Sequence, residues 1–278
     1  MFRIVFWGVR GSIPSPGPAT VEVGGNTSCI EVRAGRELII LDGGTGLRHL
    51  GANLRNEQPL KARLFFSHVH WDHIQGFPFF GPAFVAGNVI DLYGATNVTG
   101  TLEETLAGQM NFPNFPVRLE HMGAKMTFHD IDDGHVLRFD DDRVVVHSAM
   151  LNHPQGVLAY RIEHDGHAMV YATDTEHYET PDSKLVELAR GADVLIYDAQ
   201  YTPEEYAGEV DGRPKIGWGH STMIEGVKVS KAADVERLIL FHHDPDQDDA
   251  AIRRKEQRAR DLFPATDAAR EGMTIDIA

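Results

Sequence analysis

The chain has a single cysteine, Cys29, in 278 residues. One thiol excludes an internal disulfide framework and suits a reducing compartment. No apolar run reaches the ~18–20 residues that a membrane-spanning helix needs. The opening stretch "MFRIVFWGVRGSIP" is apolar for only a few residues and carries arginine inside the run, so it reads as a first strand rather than a secretory signal. The cytoplasm is the expected location, with no membrane partner. Positive charge is scarce too: 26 Lys and Arg stand against 41 Asp and Glu, a net charge of −15 at pH 7. That balance argues against broad electrostatic capture of nucleic acid, which needs a basic face. It leaves room for one small phosphorylated ligand, because bound divalent cations invert the local field even on an acidic protein. No repeat, low-complexity segment or linker interrupts the chain, and one domain over residues 1–278 is expected.

What the chain has instead is histidine, fifteen in all. Short runs rich in Val, Ile, Leu, Phe and Tyr read as strands at 2–8, 28–34, 37–42, 62–67, 89–94, 143–150, 157–164, 167–173, 192–199 and 236–243. Helices are expected at 45–55, 72–80, 101–110, 183–190, 222–233 and 247–261. Strands outnumber helices, and the later ones alternate with them. The pattern suggests an α/β fold of two packed sheets with helices outside. The strands end in polar residues: Asp42, the "HVHWDH" cluster, His153, Asp174, Asp198, and His242 with His243. Side chains at the ends of neighbouring strands converge on one rim, and a scaffold assembles a site in that way.

Residues 67–76 read "SHVHWDHIQG". Imidazole and carboxylate are ligands that borderline cations such as Zn²⁺, Mn²⁺ or Fe²⁺ accept. His68 and His70 lie two apart at a strand exit, and Asp72 and His73 follow at a helix start. Four such groups in six residues exceed what one open catalytic ion needs, and they fit two ions sharing a cleft.

This cluster resembles the H-x-H-x-D-H signature of the metallo-β-lactamase superfamily, and later residues come in that family's order. The resemblance implies the αβ/βα sandwich with metals at one edge, and a ligand set. His68, His70 and His153 (in "LNHP") would hold one ion. Asp72, His73 and His242 (in "LFHHDP") would hold the other, and Asp174 (in "ATDT") would be shared. Adjacent strand residues face opposite ways, so only one of His242 and His243 should reach the ions. The ending "L-x-H-x-x-P" of related phosphodiesterases and tRNase Z enzymes favours His242.

Four further features bear on the substrate. "GWGHSTMIEG" (217–226) resembles the H-S-T element of tRNase Z and class II cyclic-nucleotide phosphodiesterases. A phosphodiester needs a proton for its leaving oxygen, and His220 suits that task. Ser221 and Thr222 are candidate substrate contacts, with Ser221 also a candidate helix cap. "VLIYDAQYT" (194–202) stands where tRNase Z enzymes carry an H-E-A-T-like element, with Asp198 at the glutamate position and Tyr197 at the histidine. The interval from His153 to Asp174 leaves no room for the arm with which tRNase Z grips tRNA. Finally, "FWGVRGSIPSPGPATVEVGGNTSC" (6–29) resembles a bacterial branch of small-molecule phosphodiesterases, and offers Arg10 as a partner for a phosphate oxygen. Within 96–135, Met110, Phe112 and Phe115 are candidates for a lid, against the plainer reading of a packed excursion.

Together these features describe a binuclear phosphodiesterase with two divalent ions (Zn, Mn or Fe). Its catalytic groups are His220, Asp198 and Asp72, and its expected substrate is a 3′,5′-cyclic nucleotide such as cAMP or cGMP. A small-molecule phosphodiester is the expected partner in place of nucleic acid, and the resemblance implies a homodimer. A tRNase Z-like nuclease, and a lactone or thioester hydrolase of the same fold, are the alternatives.

Overall fold

Buried and open positions alternate along the first strand, Phe2–Gly8, as they do where one sheet face meets a core. It opens a series traced in the computed structural model, which describes residues 1–95 and 100–277. Residues 96–99, the head of the segment considered as a lid, lie outside the described residues.

The first sheet takes β1 (Phe2–Gly8), β2 (Cys29–Ala34), β3 (Glu37–Leu41), β4 (Lys61–Phe65), β5 (Val89–Gly94) and β6 (Lys125–Asp130). The second takes β7 (Val136–Phe139), β8 (Val144–Leu151), β9 (Val157–His164), β10 (His167–Ala172), β11 (Val194–Asp198), β12 (Arg237–Phe241) and β13 (Thr266–Ala268). The last strand, β14 (Thr274–Ile277), returns to the first sheet beside β1. The helices are α1 (Gly46–Asn53), α2 (Trp71–Ile74), α3 (Leu102–Gln109), α4 (Ser183–Ala189), α5 (Pro203–Tyr206), α6 (Met223–Ala232) and α7 (Asp249–Leu262). The expected sandwich of two mixed sheets with outer helices is what forms.

Each sheet begins with antiparallel neighbours and continues with parallel ones. The change falls at β3 in the first sheet and at β10 in the second. Between the sheets lies a core that includes Ile4, Phe6, Leu41, Phe65, Tyr160, Tyr171 and Phe241. Separate apolar layers join each sheet to its helices. The parallel strand β11 is therefore buried at every position, and its sequence VLIYD shows no alternation. Register aligns the ends of the parallel strands: Leu41 faces Phe65 across β3 and β4, and Asp198 faces Phe241 across β11 and β12. In open α/β sheets ligands sit beyond these carboxyl ends, near the point where strand order switches.

Some elements differ from the sequence reading. The expected helix 72–80 is one turn, α2, succeeded by 3-10 turns at Phe77–Phe79 and Gly81–Phe84. Pro78 and Pro82 lack the N–H that an α-helix would use there. Strands β6, β7, β13 and β14 and helix α5 carry too little apolar pattern of their own to be read locally. Of the lid candidates, Met110 is buried in the apolar layer outside the first sheet and Phe115 packs against that layer. Phe112 is exposed.

Candidate metal centre

Three site residues leave their strands in the same unusual way. Asp42 after β3, Asp174 after β10 and His242 after β12 have φ of 61°, 51° and 58°. This left-handed region is uncommon for non-glycine residues, though Asp and His enter it more readily than most. Each turn drops its side chain onto the rim just beyond the sheet. Asp42 comes directly after β3 and Asp174 one residue further past β10, the two strands at which pairing switches, so they hold similar places in the two sheets.

The histidines form a cluster whose tautomers can be deduced. His73 Nδ1–H donates to Asp42 Oδ2 at 2.7 Å. His153 Nδ1–H donates to the Gly219 carbonyl at 2.9 Å. His242 Nδ1–H donates to Gln200 Oε1 at 3.0 Å, and the amide is fixed because Gln200 Nε2 faces Tyr201 Oη and Asp244. The Ser67 hydroxyl gives its proton to Asp42 Oδ2 at 2.8 Å, so its oxygen accepts from His68 Nδ1–H at 3.1 Å. In each of these four rings, when neutral, Nε2 is the nitrogen left with a free lone pair.

These Nε2 atoms and two carboxylates converge on one small space. His73 Nε2 and His242 Nε2 are 3.3 Å apart, and each is 3.3 Å from Asp174 Oδ1. Asp72 Oδ2 lies 3.1 Å from His242 Nε2 and 3.3 Å from His73 Nε2, and it also accepts the Ser12 N–H. On the other side, His153 Nε2 is 3.2 Å from His70 Nδ1, and His68 Nε2 lies 3.7 Å from Asp174 Oδ2. His68 Nε2 is buried and has no hydrogen-bond partner. Facing acceptors and an orphaned buried nitrogen are costly unless a cation lies between them. The donor set, imidazole nitrogen with carboxylate oxygen, suits metal ions. Among the described residues, three groups of donors come close enough to share an ion: His68 with His70 and His153; Asp72 with His73, Asp174 and His242; and Asp198 with His220 and the same His242.

Without a cation, protons respond to the same crowding. Burial pushes His68 well below the usual imidazole range and lowers His70 and His153. Burial opposes charging of His73 as well, but Asp174, Asp72 and Asp42 outweigh it and raise this imidazole. Asp174 and Asp72 stay well below their usual range despite burial, held there by the surrounding histidines.

His220 stands beside this cluster. Its Nδ1 is 2.9 Å from Asp198 Oδ2 and 3.9 Å from Asp174 Oδ2. Burial disfavours its charge, yet Asp198, Asp174 and Asp72 raise it to about 9. The loop that carries it is pinned by Glu176, which accepts from the Gly217 and Gly219 N–H groups and the Tyr206 hydroxyl. Gly219 has φ 86°, and a Cβ there would fall 2.2 Å from His153 Nδ1. Only glycine brings that carbonyl so close to the ring.

The structure brings together His68, His70, Asp72, His73, His153, Asp174 and His242, with His220 and Asp198 at the border. His243 points away, to the Ala269 carbonyl. Three expected substrate contacts lie elsewhere. Arg10 is fully buried and donates to the carbonyls of Gly24, Asp244 and Gln247, so it braces the N-terminal loop instead of facing the cleft. That loop contributes its neighbours instead: a Cβ on Gly11 would lie 2.4 Å from the His242 ring. Ser221 is buried against His177 and Tyr197. Thr222, rather than Ser221, caps α6 by accepting from the Glu225 N–H. Sequence reasoning marks Asp42 only as a strand end and passes over Gln200 and Glu176. The strand-terminal aspartate is a signal for Asp42, whereas Gln200 and Glu176 give none.

A sandwich with clustered imidazoles and carboxylates at the strand ends defines a hydrolase of the metallo-β-lactamase fold. The chain belongs to the family described as beta-lactamase superfamily domain, whose model matches residues 38–243. Ribonuclease Z of Methanothermobacter thermautotrophicus is 26% identical, covering 100% of this chain and 97% of its own length. Among solved structures, YhfI of Bacillus subtilis, a metallo-β-lactamase fold protein, superposes with TM-score 0.73 at 17% identity, covering 99% of this chain and 98% of its own. Human tRNase Z, short form, superposes with TM-score 0.68 at 20% identity, covering 99% of each chain.

These relatives overturn the expectation of a small cyclic-nucleotide substrate and the weighting against nucleic acid. The likeness to Ribonuclease Z runs the whole length of the chain. The interval between His153 and Asp174 holds the β9–β10 hairpin. An arm and a net charge concern how a polymer is gripped. They do not determine which bond the centre can break. Among the described residues no helix is long and apolar enough to cross a membrane.

Proposed function

We propose that the chain is a tRNase Z-like nuclease, a metal-dependent phosphodiesterase that cuts RNA. The observation that carries this reading is the His220–Asp198 pair, 2.9 Å apart, set against a cluster of imidazole nitrogens and carboxylates able to hold metal ions. The likeness to Ribonuclease Z supports RNA as the polymer.

The groups of ligands support a pair of divalent ions: His68, His70 and His153 would hold one, and Asp72, His73, His242 and Asp174 would hold the other, with Asp174 also near His68. Such ions supply charge neutralisation for a phosphate and a water acidic enough to ionise near neutral pH. The chain's own part is to hold and to move protons. Asp42, Gln200, Gly219 and Ser67 hold the protons of four imidazoles on Nδ1, so that Nε2 is the atom each ring would offer to an ion. Asp198 fixes the His220 tautomer and sustains its charged form, so that the ring can hand a proton to the departing oxygen. A centre built for carbon esters has less use for that proton donor.

A panel tests the reading: a precursor tRNA with a 3′ trailer, bis-p-nitrophenyl phosphate and a p-nitrophenyl carboxylic ester, each with metal-loaded and chelated protein. Trailer release and phosphodiester turnover that both vanish on chelation are expected. Turnover of the carboxylic ester alone overturns the proposal.

A further inference from the structure

Trp71 stands between His70 and Asp72, yet it is 80% exposed while Asp72 and His73 are buried. Trp218 precedes Gly219, whose carbonyl fixes His153, and it is 53% exposed. The Lys215 ammonium sits 4.9 Å over the Trp218 ring and is itself held by Asp211 at 2.7 Å. That contact fixes the indole plane and leaves half of the residue open. Ile13, 59% exposed, comes after Ser12, whose N–H bonds Asp72.

Single exposed apolar residues are ordinary, but a group beside a reactive centre marks a contact surface. Chemistry selects the occupant. A protein of net charge −15 has no broad attraction for a polyanion. Stacking on aromatic faces does not depend on net charge, and every nucleobase offers a π-face. A base-paired helix keeps those faces covered, so only unpaired bases can use the rings.

We propose that Trp71 and Trp218 are stacking platforms for unpaired nucleobases next to the scissile phosphodiester, which makes the preferred substrate an RNA that is single-stranded at the cut. This rests on the RNA-cutting function proposed for the centre. It assigns the two tryptophans to substrate binding and not to the chemical step.

The chain has three tryptophans, and the third, Trp7, is packed against an apolar layer with its Nε1–H bonded to Glu31 at 2.9 Å. A change in the intrinsic fluorescence of the intact, metal-loaded protein on strand binding therefore reports on the other two, above a constant Trp7 emission. An eight-nucleotide adenine ribonucleotide strand, mixed by stopped flow and read before turnover, should quench them. An abasic ribose-phosphate strand of the same length, which has charge but no bases, should not. Trp71→Leu and Trp218→Leu should each weaken strand binding about 5- to 100-fold, and raise KM for a precursor with a single-stranded 3′ extension to match. Trp71→Phe and Trp218→Phe keep a ring face and should recover most of the loss. Wild-type affinity in the double leucine variant, or equal competition by the abasic strand, overturns the proposal. So does a dimer that the leucine variants dissociate, since the rim is then a subunit contact. RNA cleavage with unchanged KM in the leucine variants sinks the stacking and spares the nuclease function. Quenching without any RNA cleavage does the reverse.

Discussion

Asp42→Asn changes one atom at the base of the centre, and the hydrogen bonds around that atom dictate the outcome. Asp42 Oδ1 accepts the Ser67 backbone N–H at 2.7 Å. Oδ2 accepts three donors, the His73 Nδ1–H, the Ser67 hydroxyl and the Tyr171 hydroxyl, at 2.7, 2.8 and 2.6 Å. An asparagine amide cannot face its nitrogen to the backbone N–H, so the nitrogen must take the Oδ2 place. His73 then has to accept at Nδ1, and its proton moves to Nε2, inside the cluster. Ser67, now accepting from the amide, donates to His68 Nδ1, and the His68 proton moves to Nε2 as well. Both halves of the centre lose a lone pair. Asparagine tolerates φ 61° as well as aspartate does, so the backbone turn survives. Loss of an outer partner typically costs 10- to 100-fold in metal affinity, about 1.4–2.7 kcal/mol for each half. Chelator competition with metal counted by mass spectrometry, alongside a thermal melt of the metal-free protein, provides the assay. Unchanged affinity and stoichiometry in a folded Asp42→Asn variant would refute the reasoning.

Three other outcomes are expected. His220→Ala should lower kcat about 10²- to 10⁴-fold with full metal content; a parallel fall in bound metal makes His220 a ligand instead of a proton donor. Gly219→Ala should drive the His153 ring from its place and lower metal affinity at least about tenfold, as read by the same competition; full loading would show that the loop moves aside. Lys255 is buried and donates to the Ala199 carbonyl and Gln247 at 2.6 and 2.7 Å, and burial lowers its ammonium to about 8. Between about pH 8 and 10.5 the unfolded chain binds more protons at this group, so its contribution to stability rises with pH by up to about 1.4 kcal/mol per unit. Urea unfolding of wild type and Lys255→Met across that range should differ by this slope, and parallel curves would contradict it.

The legible part of the site consists of residues whose chemistry is tied to a strand end. His68, His70, Asp72, His73, His153, Asp174 and His242 lie close behind apolar runs, and those runs form strands from local pattern alone. Which way a side chain then points depends on tertiary pairing. Arg10 reads as a phosphate ligand until the loop folds over it and supplies three carbonyls. Ser221 and Thr222 read as cleft residues until α6 takes Thr222 as its cap. Gln200 carries no signal, because its role exists only once β11 and β12 lie side by side and bring His242 within 3.0 Å. The cyclic-nucleotide expectation fails for a related reason. It leans on the absent arm and the overall charge, and the catalytic geometry is independent of both. Strands β6, β7, β13 and β14 escape a sequence reading because they are short or lie toward the sheet edges, where partners define them more than composition does.

The central claim is that this His and Asp cluster, loaded with divalent ions, cleaves RNA. The most direct measurement tracks an end-labelled precursor tRNA with a 3′ trailer under single-turnover conditions, first with metal-loaded protein and then with the same sample after chelation and reloading. Trailer release that stops on chelation and returns on reloading is predicted. Intact RNA beside fully loaded protein would contradict the account.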